Sequence, residues 1–60
     1  MAHLFEELKA VITDLQRDVD RFYEKGNKSA GTRVRKGMQD IKKLSQAIRI
    51  DVQDRKSRLK

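Results

Sequence analysis

"EKGNKSAGTRVRKG", Glu24–Gly37, lies near the midpoint of a 60-residue chain, and its first half decides the fold. Lys25 suits the C-terminus of a helix, Gly26 can take the left-handed conformation just beyond it, and Asn27 is a good N-cap for a second helix. Nothing else in the chain breaks a helix so strongly, and proline is absent. The reading is a helix over about 3–25, a turn at 26–27 and a second helix over about 28–56.

Both sides of the turn carry the period of a helix. Phe5, Leu8, Ile12, Leu15, Val19 and Phe22 succeed one another at spacings of three and four, which is a heptad seam. Leu4 and Val11 lie beside it and widen the stripe to the bundle type. The second half repeats the pattern through Val34, Met38, Ile41, Ser45, Ile48 and Val52, with Leu44 beside it and Ser45 as the polar member. Past Val52 the seam positions are Arg55 and Leu59, so the last turns are expected to fray.

A two-residue turn makes the helices antiparallel neighbours. The fold class is therefore all-α, an antiparallel two-helix hairpin forming a single domain over residues 1–60. A chain of this size buries little surface alone, and with no cysteine it has no disulfide to hold it. Each apolar stripe is also too wide for one neighbour. The remedy expected is dimerisation into a four-helix bundle whose core is Phe5, Leu8, Ile12, Leu15, Val19, Phe22, Val34, Met38, Ile41, Leu44, Ile48 and Val52. Gly31 and Gly37 fall inside the second helix, where each costs about 1 kcal/mol relative to alanine. Two explanations stay open at this point: close helix crossing, or approach of the backbone to a ligand.

Charge is distributed unevenly along the chain. Residues 1–26 hold Lys9, Arg17, Arg21 and Lys25 against six acids, a net of −2, whereas residues 27–60 hold eleven Lys and Arg against Asp40, Asp51 and Asp54, a net of +8. Lys28, Arg35, Lys42, Arg49 and Lys56 recur every seven residues, with Lys36 and Lys43 alongside. At a rise of about 1.5 Å per residue this stripe runs roughly 40 Å. Solvated coiled-coil flanks also carry lysine, but there they pair with acids on the neighbouring helix. The acids of this chain are too few for that, so the stripe points to a polyanion, and its length suits the phosphates of duplex DNA.

Basic residues in the first turns of a helix oppose its macrodipole, and a bound anion reverses the effect. A phosphate near Asn27, Lys28 and Ser29 would find free backbone N–H groups there, with Thr32, Arg33, Arg35 and Lys36 on the next turns. The expected DNA-binding set is Asn27, Lys28, Ser29, Thr32, Arg33, Arg35, Lys36, Lys42, Lys43 and Arg49. Few aromatic residues are present and Phe5 and Phe22 belong to the seam, so stacking on single strands is poorly supported. No obvious base-reading set stands out, which favours backbone contacts with little sequence preference.

Other chemistries find little support. No Ser/His/Asp or Cys/His set exists, the acids of the first helix fall mainly on its outer face, and the chain is read as a non-enzyme without cofactor or small-molecule substrate. His3 is one ligand where a metal site needs three or four. "MAHLFEELKA" has no basic n-region, and no apolar run approaches membrane-spanning length, so a cytoplasmic protein is expected.

The run "EKGNKSAGTRVRKGMQDIKKLSQAIR", Glu24–Arg49, resembles the core of the bacterial linker-histone-like proteins of the chlamydial type, most specifically in the block Lys25–Lys36. The resemblance implies double-stranded DNA binding and compaction of the nucleoid, carried by Lys28, Arg33, Arg35, Lys36, Lys42 and Lys43. Chlamydial members carry a long lysine-rich tail, whereas this sequence ends at "DRKSRLK", so bridging by an oligomer is expected in place of condensation by a tail. The alternative reading is a structural hairpin oligomer that binds an acidic protein partner.

Overall fold

The computed structural model describes residues 2–59 and consists of helix α1, Ala2–Lys25, and helix α2, Lys28–Arg58. The turn forms as its residues dictate. Gly26 has φ +64°, the left-handed region, which lets its N–H donate to the Phe22 carbonyl while the N–H of Asn27 donates to that of Arg21. Carbonyls at the end of α1 are thereby satisfied. Asn27 then caps α2: its backbone is extended, and its side-chain oxygen accepts from the N–H of Ala30 at 3.1 Å.

The helices lie side by side and meet most closely where side chains are smallest. Ala30 is fully buried, Gly37 is buried, and Leu15, 8% exposed, packs directly on Gly37. A Cβ at Gly37 would stand 2.5 Å from Leu15 Cδ1, and one at Gly31 would stand 2.7 Å from the Phe22 ring. Close crossing therefore accounts for both glycines. Around these points Leu4, Leu8, Val11, Val19, Val34, Ile41, Leu44 and Ile48 are half-buried.

The wide apolar stripe is divided by this packing. Asp18 accepts from Arg33 at 2.9 Å across the helices, and Glu7, Val11, Asp40, Lys43 and Leu44 line one open hollow, so the α1 row Leu4–Val11–Asp18 borders the α2 row Arg33–Asp40 along one flank. The opposite flank consequently holds the α1 row Phe5–Ile12–Val19 beside the α2 row Met38–Ser45–Val52. There Phe5 is 53% exposed, and Ile12 and Met38 are each 49% exposed. Of the expected bundle core, Leu8, Leu15, Val34, Ile41, Leu44 and Ile48 serve the seam within the hairpin, while Phe5, Ile12, Met38 and Val52 face outward.

α1 has 24 residues and α2 has 31, so α2 is longer by seven and projects about 10 Å beyond its neighbour. Val52 and Leu59 are exposed because α1 has ended by their level. The helix nevertheless continues to Arg58, two residues past the expected end. Arg55 pairs with Asp51 at 3.0 Å and Arg58 with Asp54, both one turn apart, and the N–H of Leu59 caps the carbonyls of Arg55 and Lys56. Arg55, Lys56 and Arg58 also complement the negative end of the helix dipole.

Candidate nucleic-acid interface

Seven-residue counting sorts α2 into rows that drift slowly around its axis. Ala30, Gly37, Leu44 and Asp51 face α1, and Val34, Ile41 and Ile48 accompany them. Moving away from α1, one side is Met38–Ser45–Val52 and the other is Arg33–Asp40–Ala47–Asp54. The remainder of the circumference is solvent-facing. It carries Lys28, Arg35, Lys42, Arg49 and Lys56 in one row, Lys36, Lys43 and Ile50 in another, and Thr32, Gln39, Gln46 and Gln53 between them; all are exposed.

Lys28, Arg35, Lys42 and Arg49 have no acid one turn away on their own helix, whereas Lys36 and Lys43 stand one turn before and after Asp40, and Lys43 shares an open hollow with it. Asp51 and Asp54 are engaged by Arg55 and Arg58, and Asp40 lies on the flank next to α1. Among the described residues, no ion pair involves Lys28, Arg35, Lys36, Lys42, Lys43, Arg49 or Lys56. Their field is therefore directed mainly outward, with Asp40 offsetting part of it beside Lys36 and Lys43.

The residues of the expected DNA-binding set fall in different places. Arg35, Lys36, Lys42, Lys43 and Arg49 come together on the outward side of α2. Lys28 and Ser29 stand exposed on its first turn, the N-terminal pole of the dipole. Asn27 is occupied as the cap, so the Ala30 N–H is already bonded. Thr32 donates to the Lys28 carbonyl at 3.4 Å. Arg33 turns the other way and is tied to Asp18, which answers part of its charge within the protomer. That pair spans 15 residues, and no local spacing announces it. The amide row does have a sequence signal, since the count of seven that brings out the basic stripe also brings out Thr32, Gln39, Gln46 and Gln53.

Residues 2–58 match the family model described as Histone H1-like protein Hc1. The chain belongs to this family. Hc1 proteins are histone-like, DNA-binding proteins of the nucleoid, and the match takes in both helices and the turn. No curated protein and no solved structure matches the chain. Among the described residues, no helix is long and apolar enough to cross a membrane, and no group of three or more His, Cys, Asp or Glu could hold a metal ion.

Proposed function

We propose that this Hc1 chain is a non-enzymatic architectural protein that binds double-stranded DNA with little sequence preference and compacts or bridges the nucleoid as a homodimer. One observation carries the reading: Lys28, Arg35, Lys42, Arg49 and Lys56 form an exposed row free of ion pairs among the described residues. Lys36 and Lys43 reinforce it from the side, and Lys28, Ser29 and the first free N–H groups of α2 offer a seat for one phosphate. The dimer is a four-helix bundle closed through the apolar flank of Phe5, Ile12, Met38 and Val52, which borders the cationic row at Arg35 and Lys42 but leaves those side chains outside the apolar contact. Each protomer then keeps its own DNA-binding helix, and one dimer engages two duplex segments.

A salt series with a short duplex tests the reading. With about five phosphates neutralised, the slope of log K against log[salt] is expected near −4 to −5, and a shuffled duplex should bind about equally well. A slope near −1, a preference of orders of magnitude for one sequence, or equal binding to an acidic polypeptide would overturn it.

A further inference from the structure

A row of phosphate-binding residues needs nothing particular beside it, yet the outward side of α2 is ordered across its width. Gln39 lies two residues beyond Gly37, about 200° around the helix and so on the side away from α1. Its neighbours on the helix surface, three and four residues before and after, are Arg35, Lys36, Lys42 and Lys43, and all are basic. Gln46, one heptad further, has Lys42, Lys43, Arg49 and Ile50 in the same positions. Each uncharged amide thus stands on a ridge between two cationic ridges. Neither side chain has an intramolecular hydrogen-bond partner among the described residues. A solvated outer row of a heptad helix tolerates glutamate freely, but here the ridge carries no acid from Thr32 through Gln39 and Gln46 to Gln53.

The cross-section of a duplex groove has the complementary order. Base edges, rich in hydrogen-bond donors and acceptors, form the floor, and a phosphate wall rises on each side. An α-helix with its side chains is about 10–12 Å across, which the major groove at about 12 Å admits and the minor groove at about 6 Å does not. Successive members of a heptad row stand about 10.5 Å apart, close to three base-pair steps of about 3.4 Å. Ile50 adds an apolar element to the same side: it is 63% exposed and lines one open hollow with Gln39, Lys42, Lys43, Gln46 and Ala47. A thymine methyl is the apolar group that the major groove offers to such a side chain.

From this order we infer that the outward side of α2 seats in the major groove of duplex DNA, with Gln39 and Gln46 on base edges and the flanking basic rows on the two phosphate walls. The inference rests on the DNA-binding reading and adds to it the groove, the orientation of the helix and two residues that read bases. Glutamine pairs most directly with adenine through N6 and N7, so a modest preference for accessible adenine N7 is expected.

The test uses the full chain and a 24-base-pair duplex at one salt concentration, with adenine replaced by 7-deazaadenine in a second duplex of equal charge and pairing. The substituted duplex is expected to bind about tenfold more weakly, within the range for loss of a bidentate base contact. The double variant Gln39→Ala with Gln46→Ala should bind both duplexes alike and keep the wild-type salt slope, and circular dichroism checks that it remains helical. Netropsin bound in the minor groove should leave wild-type affinity unchanged. Equal binding of the two duplexes by the wild-type chain, or displacement by netropsin, would overturn the major-groove inference while leaving duplex binding in place. Absence of duplex binding altogether would instead overturn the DNA reading itself.

Discussion

The flank that carries Arg33 and Asp18 and the flank that carries Phe5, Ile12 and Met38 border the same seam, but they handle solvent differently. On the first, Leu4 and Val11 are half-buried and an ion pair spans the helices at 2.9 Å. That flank is finished within the protomer. On the second, Phe5 and Ile12 of α1 and Met38 of α2 are half-exposed to solvent, and past Ser45 the α2 row continues to Val52 beyond the end of α1. Isolated exposed apolar residues are ordinary on a soluble protein, whereas a contiguous row of them marks a surface made to be covered. The hairpin thus uses one edge of its apolar stripe for internal packing and leaves the other half-exposed, the surface on which the proposed dimer depends.

The largest effect should come from the seam that both flanks share. Leu15→Asp places a carboxylate against Gly37 at the most enclosed large side chain, at a cost of about 3–5 kcal/mol. A 60-residue chain has little stability in reserve, so helicity by circular dichroism should be lost at 25 °C. Retention of native helicity and thermal stability would show that Leu15 does not hold the two flanks together.

Ile12→Lys separates the flanks instead of destroying both. The side chain is half-exposed, so the cost to the hairpin itself should be small, while a charge in the apolar flank should prevent dimerisation. Mass by sedimentation is expected to fall to that of one chain, and the dependence of the melting temperature on protein concentration should vanish. A dimer of unchanged mass would mean that association uses another surface.

The smallest effect distinguishes a cation held inside the hairpin from one directed outward. Arg33→Ala removes an exposed ion pair worth about 0.5 kcal/mol and should leave the salt slope of DNA binding nearly unchanged. Arg35→Ala should spare stability and flatten that slope by about 0.9. Identical slopes for the two variants would mean that net charge alone governs binding and that the paired flank is no different from the free row.

Local signals were sufficient for the helix ends and for the rows. Gly26 and Asn27 act through hydrogen bonds to residues no more than six positions away, so their consequences are legible without the rest of the chain. The seven-residue recurrence of the basic stripe is similarly independent of packing, because side chains one heptad apart share a face of any α-helix. The continuation of α2 to Arg58 is the local feature that apolar periodicity misses, since ion pairs and a backbone cap carry the last turns where no seam residue does.

The chain by itself determined two amphipathic helices, a left-handed turn between them, and a cationic second helix, since each of these arises from residues within a few turns of one another. Periodicity fixes the angle of each side chain around its own helix but leaves open how far each helix is rotated toward its neighbour. Only the tertiary structure decided that rotation. The helices approach most closely at Ala30, Gly31 and Gly37, where missing side-chain volume admits Leu15 and Phe22, and this contact swings Leu4 and Val11 inward and Phe5 and Ile12 outward. The same rotation brings Asp18 to Arg33 and turns Gln39 and Gln46 away from α1, because a helix is a rigid body and setting one face sets all the others.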